Sequence, residues 1–271
     1  MTTYKEPLQL EVLERHPPKG AANEHPTPLL FVHGAFCAAW IWDEYFLPYF
    51  AEQGYHAYAV SLRGHGASEG GEDIDWWSIA DYVSDVRTVI DRLHKAPVLI
   101  GHSMGGFITQ KIMEKTRLPA VALMATVPPQ GLLPSSFTMA FIRPDLLSQI
   151  NRVLSGGMPK TEVIRDGLFA QDVDEKLLEH FYYRMQTESQ RAIWDMSLFD
   201  LPLPPRSGVP PMLVLGAAED QLVPSSQAYA TGAYYGVKAE VFDHMGHCLM
   251  LERDWEIVAQ RILRWLSSLQ L

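Results

Sequence analysis

Short, nearly continuous apolar segments recur along the chain and are its most regular feature. They cover residues 28–32, 55–60, 97–100, 121–124 and 212–215, with a weaker one at residues 239–242. Apolar runs of this length are typical of strands that are buried on both faces of a parallel sheet. A weaker segment, about residues 9–14, is predicted to be an antiparallel strand at the edge of that sheet.

Amphipathic stretches separate the predicted strands and cover residues 40–53, 76–95, 104–116 and 255–269. In the second stretch Ile79, Tyr82, Val83 and Val86 follow one another at helical spacing. This spacing predicts a helix with one apolar face. Strands that alternate with helices predict an α/β fold, in which helices flank a mostly parallel central sheet.

One long segment, residues 128–207, breaks this alternation because it contains only helical patterns. These patterns lie near residues 136–142, 145–155, 160–170, 174–186 and 188–197. Prolines cluster at both ends of the segment and suit stiff connections. We therefore expect residues 1–127 and 208–271 to form the core. Residues 128–207, called the cap segment below, are expected to form a helical lid over the carboxyl edge of the sheet, where open α/β sheets bind ligands.

Composition narrows the function classes. The 271 residues are 47% apolar and 20% charged, enough for a large buried core. A formal net charge of −10 argues against nucleic-acid and anionic-membrane partners.

The start of the chain lacks a signal-peptide pattern, and the two cysteines suit a reducing compartment. We expect a cytoplasmic monomer or homodimer. Without a G-x-G-x-x-G motif after a strand or a metal-ligand spacing of histidines, we expect no cofactor and no metal.

The chemistry is concentrated in the segment GHSMGG, residues 101–106, which follows a predicted buried strand and precedes a predicted helix. It contains the pattern G-x-S-x-G. In a strand–turn–helix context this pattern lifts the serine hydroxyl above the sheet and places it near the free N–H groups of the helix. Ser103 is therefore the candidate nucleophile.

A serine hydroxyl needs a base, and the base needs an orienting carboxylate, in the chain order serine, acid, histidine. Asp220 lies just past the predicted strand 212–215 and is the candidate acid, with Glu219 as its rival. His247 precedes the last predicted helix and is the candidate base, with His244 as its rival.

With these motifs in order, the sequence resembles the α/β-hydrolase superfamily over nearly its full length. The matching segments are His33-Gly34, RGHGAS at residues 63–68, GHSMGG, AAEDQLVP at residues 217–224 and MGHCLMLE at residues 245–252. The resemblance implies that the backbone N–H groups of Ala35 and Met104 form the oxyanion hole. Apart from the resemblance, we expect His33, Arg63, His65 and His102 to fix loops or to pack rather than to react.

The resemblance also separates the chemistries that this superfamily hosts. Its dehalogenases and epoxide hydrolases use aspartate where this chain has Ser103, so both activities are disfavoured. Its hydroxynitrile lyases typically carry lysine where this chain has Cys248, so cyanohydrin cleavage is disfavoured as well.

The expected activity is therefore that of a serine carboxylesterase that forms an acyl-enzyme with small to medium or aromatic acyl esters. The same triad would serve a lipase or monoacylglycerol-type hydrolase, a carbon–carbon-bond hydrolase, a thioesterase or a perhydrolase, and these alternatives stay open. A ligand receptor with slow turnover is the alternative outside catalysis.

Overall fold

The computed structural model describes residues 8–19, 24–133, 144–154, 157 and 160–271. The strands of these residues form one seven-stranded sheet in the order β1-β3-β2-β4-β5-β6-β7. They are β1 (Val12–Arg15), β2 (Leu29–Val32), β3 (Ala57–Val60), β4 (Val98–His102), β5 (Val121–Met124), β6 (Met212–Ala217) and β7 (Ala239–Phe242). β1 pairs with β3 antiparallel, whereas the other pairings are parallel. The α/β fold class and the antiparallel edge strand are confirmed.

Helices cover both faces of the sheet. They are α1 (Trp40–Asp43), α2 (Phe46–Glu52), α3 (Ile79–Arg92), α4 (Met104–Met113), α5 (Pro144–Leu154), α6 (Thr161–Leu168), α7 (Glu175–Arg184), α8 (Gln190–Trp194), α9 (Ser225–Tyr235) and α10 (Trp255–Ser268). A 3₁₀ helix precedes α3 at Gly71–Trp76, and a π-helical turn follows α8 at Asp195–Phe199.

The core consists of two apolar layers that the central strands separate. In β2, Leu29 and Phe31 face one layer, whereas Leu30 and Val32 face the other, and all four are 0% exposed. A strand buried on both faces has no polar positions to alternate with apolar ones. Period-two alternation was therefore absent from these segments, and the continuous runs gave the better prediction.

Two helix predictions need correction, and one helix was missed. Residues 40–53 form two short helices, α1 and α2, rather than one. α3 begins at Ile79, because Ser78 caps it in a reciprocal capping box with Asp81, and not at Trp76. α9 was not predicted, because its sequence SSQAYATGAYY is rich in small residues and lacks a clear apolar stripe.

The cap segment contributes α5, α6, α7 and α8, and the described residues between 128 and 207 contain no strand. The predicted helical stretch 136–142 lies outside the described residues. Two apolar side chains of the cap segment, Phe169 and Phe181, join the core layer that contains Trp40. Phe181 stacks on Phe169 and on Trp40 with ring centroids 6.1 Å and 5.9 Å apart, so the cap segment packs directly on the core.

Candidate active site

Ser103 is the single residue between β4 and α4, and its backbone is in an uncommon conformation. Its φ is 52° and its ψ is −118°. Positive φ is unfavourable for a residue with a Cβ and persists where the surrounding structure enforces it. The Ser103 N–H donates to Met124 O at 3.0 Å, and its carbonyl accepts from Phe107 N at 3.2 Å. The sequence-predicted strand–turn–helix at Ser103 is therefore present.

The glycines around Ser103 are required by close backbone approaches. A Cβ at Gly101 would overlap the carbonyl oxygen of Gly105, and a Cβ at Gly105 would overlap the carbonyl oxygen of Val32. A Cβ at Gly106 would overlap the Thr126 side chain. The GHSMGG segment thus owes its glycines to the tight packing of α4 on β2, β4 and the loop after β5.

Asp220 and His247 meet although 27 positions separate them. His247 Nδ1 lies 2.8 Å from Asp220 Oδ2, and the two side chains are 5% and 0% exposed. Since a carboxylate only accepts, Nδ1 carries a proton, and Nε2 is the ring nitrogen that remains for proton transfer. Asp220 Oδ1 accepts from the N–H groups of Leu222 and Val223, both at 2.8 Å, which fixes the carboxylate.

The two rival residues pair with each other away from this site. His244 Nδ1 lies 3.3 Å from Glu219 Oε1, and their side chains are 87% and 49% exposed. Glu219 precedes Asp220 in its loop and His244 precedes His247 in its loop, but neither joins the buried pair. The structure therefore separates the candidate acid and base from their neighbours in sequence.

Ser103 lies next to the loop that carries Gly34 and Ala35. A Cβ at Gly34 would lie 3.0 Å from Ser103 Cβ, so the Gly34 backbone packs against the serine. Ala35 follows directly. Met104 opens α4, where the first N–H groups have no partner within the helix. Among the described residues, His247 bonds to Asp220, whereas no hydrogen bond joins Ser103 Oγ to His247; catalytic hydrogen bonds are often loose before substrate binds.

His102 connects the serine turn to the loop of His247. Its Nε2 donates to the backbone carbonyl of His247 at 2.9 Å, and the two rings are 4.7 Å apart. Burial, followed by the proximity of His247, keeps the pKa of His102 well below its ordinary value. His102 is thus a neutral donor that holds the His247 backbone. The sequence placed His102 beside Ser103 but did not indicate this bond to the loop of His247.

His33 ties the Gly34 loop to the loop after β3. Its Nε2 accepts from Leu62 N–H at 3.1 Å, so its Nδ1 is the protonated nitrogen and donates to Gly34 O at 2.8 Å. Burial, with His65 nearby, lowers the pKa of His33 to about 3. Arg63 lies in that second loop and forms a bidentate pair with Asp85 of α3.

Two buried carboxylates near the site had no role in the sequence-based prediction. Glu188 of the cap segment bonds to His65, and Glu252 bonds to the backbone beside His247. Both side chains are fully buried. For Glu252 the available signal was its place at the end of the MGHCLMLE segment. Glu188 offered no such signal, because its partner His65 is 123 positions away. Within the described part of the chain no cluster of three or more metal-ligating side chains occurs, and no helix there has the length and apolar character of a membrane span.

Comparisons with known proteins agree with this architecture. A non-heme chloroperoxidase of Streptomyces lividans is 34% identical over 109 residues, which are 38% of this chain and 37% of that protein. This chain spans less than half the length of the curated relatives that it matches. An esterase of Exiguobacterium antarcticum superposes with a TM-score of 0.72 at 21% identity over 96% of both chains. A bromoperoxidase of Bacillus anthracis superposes with a TM-score of 0.74 at 18% identity over 97% of both chains.

The two structural matches bear on the fold, since their identity to this chain is low. The model of the alpha/beta hydrolase family matches residues 29–261. That range includes the GHSMGG turn and both loops that carry Asp220 and His247. The chain therefore belongs to the alpha/beta hydrolase family.

Proposed function

We propose that the protein is a serine hydrolase that cleaves carboxylic esters through an acyl-enzyme. The observation that carries this proposal is the buried Asp220–His247 hydrogen bond of 2.8 Å, in loops that border the strained turn at Ser103. A neutral imidazole with a free Nε2 has the form that a general base requires.

In the proposed mechanism Ser103 Oγ attacks the ester carbonyl while His247 Nε2 takes its proton. Asp220 keeps the proton of His247 on Nδ1 and stabilises the imidazolium that forms. His247 then protonates the leaving alcohol. Water repeats the sequence on the acyl-serine, which releases the acid and restores the enzyme.

Charge that develops on the carbonyl oxygen would be stabilised by the N–H groups of Ala35 and Met104. The contact of Gly34 with Ser103 supports Ala35 as a donor, and the first N–H of α4 supports Met104. Removal of one such donor typically costs about 10²–10³ in kcat. Neither donor is a side chain, so substitutions test the triad more directly than the hole.

We infer small to medium or aromatic acyl esters as substrates. A cap segment that packs on the core through Phe181 and Trp40 favours a bounded apolar pocket over an open lipid-facing groove. Membership of the alpha/beta hydrolase family supports a hydrolytic reaction. Ser103 at the nucleophile position argues against epoxide opening, although one curated relative is named an epoxide hydrolase.

The test is turnover of p-nitrophenyl esters from acetate to octanoate by wild type and by Ser103→Ala. We expect sustained turnover that Ser103→Ala abolishes, and a phenylphosphonate label on the peptide that contains Ser103. His244→Ala is the matched control, because this exposed histidine is three positions from His247 and should leave the rate unchanged. Single turnover with ligand-dependent stabilisation would indicate a receptor instead.

Perhydrolysis is the second candidate, and the chloroperoxidase relative favours it. Acylation of Ser103 by the carboxylic acid would release water. Hydrogen peroxide would then attack the acyl-serine in place of water, so that a peracid and the free serine are the products. Peracid formation from acetate and hydrogen peroxide, measured with wild type and Ser103→Ala, tests this activity. A rate that depends on Ser103 supports it, and equal rates exclude it.

A further inference from the structure

The carboxylate of Glu252 collects three backbone N–H groups from two distant segments. Its Oε1 accepts from Gly246 N and from Ala170 N, both at 2.7 Å, and its Oε2 accepts from Gln171 N at 3.2 Å. Gly246 directly precedes His247, whereas Ala170 and Gln171 belong to the cap segment. One side chain therefore joins the loop of the candidate base to the cap segment.

The two backbones approach each other unusually closely at this point. A Cβ at Gly246 would lie 2.8 Å from Ala170 N and from Leu168 O. On the other side of His247, the Cys248 N–H donates to Leu168 O at 2.9 Å. The residues before and after His247 are thus both tied to residues 168–171.

A second contact holds the same part of the cap segment to the start of α10. Gln171 Nε2 donates to Asp254 Oδ2 at 2.8 Å, and the Asp254 N–H donates to Gln171 Oε1 at 3.0 Å. Residues 168–171 are therefore fixed along their length, so that they can serve as a rigid support for the loop.

Because the Glu252 carboxylate is buried, its stability in the fold depends on these N–H donors. Glu252 is 0% exposed, and among the described residues its bonds go to N–H groups rather than to a basic side chain. Burial raises the pKa of the Glu252 carboxyl, and the N–H donors of Ala170, Gly246 and Gln171 counteract that rise. A buried donor left without its acceptor is costly, so loss of this carboxylate should displace the segments that it joins.

We propose that Glu252 is a positioning residue that holds His247 in register with Ser103, and that the cap segment is part of the support of the base. The expected loss of rate rests on the proposed function, because it is measured as ester hydrolysis. Displacement of a catalytic group by about 1 Å can cost about 10²-fold in rate. The effect should fall on kcat, because Glu252 touches the backbone around the base rather than the substrate.

The kinetic test compares Glu252→Ala with Glu252→Gln on p-nitrophenyl esters at a temperature at which both are folded. Glu252→Ala removes both acceptor oxygens and so leaves three N–H groups without their partner, and we expect kcat to fall about 10²-fold with KM nearly unchanged. Glu252→Gln keeps a carbonyl oxygen for the Gly246 and Ala170 N–H groups, so it should recover most of the rate. Glu114→Ala is the matched control, because Glu114 is a buried carboxylate that accepts from Leu203 N at 2.9 Å, far from the candidate site.

A spectroscopic test separates this inference from the proposed function. The imidazole nitrogens of His247, assigned through His247→Gln, should report the Nδ1–H bond to Asp220 in wild type whether or not the protein hydrolyses esters. Glu252→Ala should shift or broaden these resonances, while Glu252→Gln and Glu114→Ala should leave them in place. If wild type shows no Ser103-dependent turnover, the proposed function fails and these spectra still decide the role of Glu252.

Unchanged resonances and an unchanged kcat in Glu252→Ala would overturn the inference. Equal losses in Glu252→Ala and Glu114→Ala would do the same, because they would indicate general destabilisation. If Glu252→Ala does not fold, Glu252→Asp replaces it, since the shorter side chain keeps the charge but withdraws the acceptors. A wild-type kcat in Glu252→Asp with unshifted His247 resonances would then contradict the proposal.

Discussion

His65 Nε2 lies 3.0 Å from Glu188 Oε2, and both side chains are 0% exposed. The other ring nitrogen, Nδ1, lies 3.0 Å from the carbonyl oxygen of Arg63. Both partners are acceptors, so both ring nitrogens donate and His65 is an imidazolium. The pair joins the loop after β3 to the cap segment, and Glu188 also accepts from Tyr82 and from Ser189 N.

This buried ion pair predicts a pH-dependent stability. Burial alone would lower the pKa of His65, but Glu188 raises it above the ordinary 6.5. Burial alone would raise the pKa of Glu188, but His65 lowers it below the ordinary 4.5. The His65 contribution is complete below pH 6.5 and disappears as pH rises through its raised pKa. The Glu188 contribution is complete above pH 4.5 and disappears as pH falls through its lowered pKa.

We therefore expect Glu188→Gln to lower the free energy of unfolding by about 3–5 kcal/mol near pH 5.5, and by less at about pH 3 and pH 9. Urea denaturation at the three pH values measures this difference. Glu24→Gln is the control, because it interrupts a His56–Glu24 pair of 2.7 Å in which Glu24 is 61% exposed. Such an exposed pair should contribute less than about 1 kcal/mol. A Glu188→Gln effect that is equal at all three pH values would argue against the charged pair.

Asp220→Asn should leave the fold intact and remove nearly all ester turnover. The Asn carbonyl can still accept from the Leu222 and Val223 N–H groups. Its amide N–H₂ would face His247 Nδ1, which favours the tautomer with the proton on Nε2 and so removes the base. The same substitution in a serine protease triad lowers kcat about 10⁴-fold. Steady-state kinetics with circular dichroism check this, and Glu219→Gln, at the exposed neighbouring position, should keep wild-type kcat.

Gly105→Ala should destabilise the protein and inactivate it together. The added Cβ would overlap the carbonyl oxygens of Val32 and His33, which are backbone atoms that have no rotamer to adopt. Overpacking of this kind typically costs about 1–3 kcal/mol, and a displaced α4 would also move Ser103. Thermal denaturation and phosphonate labelling measure the two effects. Gly71→Ala is the control, because a Cβ at Gly71 meets no atom within 4 Å. Normal labelling in Gly105→Ala would disprove the steric account.

The sequence predicted the sheet and the turn at Ser103 because both depend on local pattern. Strands β2 to β6 are nearly continuous apolar runs, whereas β7 is a weaker one that contains Glu240. The turn needs glycines at fixed offsets from the serine. α9 was missed for the opposite reason, since its small residues carry no apolar periodicity. Asp220 and His247 could be selected by their place after predicted strands, which parallel topology brings to one edge of a sheet.

The contacts that support the site could not be predicted in this way. Glu188 bonds to a residue 123 positions away, and Glu252 bonds to one 82 positions away. Nothing in the local pattern around Glu188 distinguishes it from an exposed glutamate, and the MGHCLMLE segment gives Glu252 a place in a motif but no partner. Their partners follow from the packing of the cap segment on the core, which depends on tertiary geometry rather than on periodicity.

Gln186 of the cap segment, which contacts the loops of Ala35 and Gly64, provides a final prediction. Its Nε2 donates to Gly64 O and its Oε1 accepts from Gly66 N, both at 2.8 Å. The backbone N–H of Gln186 donates to Phe36 O at 3.0 Å. The two side-chain bonds therefore hold Gln186 in place against the loop that carries Ala35. Gln186→Ala removes two hydrogen bonds and should lower the free energy of unfolding by about 1–3 kcal/mol.

If the Ala35 N–H stabilises the oxyanion, the loosened loop should also reduce kcat, by about tenfold for a loss of about 1.4 kcal/mol in transition-state stabilisation. The His247 resonances should not move, because Gln186 does not contact that loop through any of these bonds. Gln260→Ala is the control, since the Gln260 side chain lies on the exposed face of α10 and donates to Glu256 Oε1 at 3.1 Å. A shift at His247 without a fall in kcat would show that Gln186 acts on the base and not on the loop of Ala35.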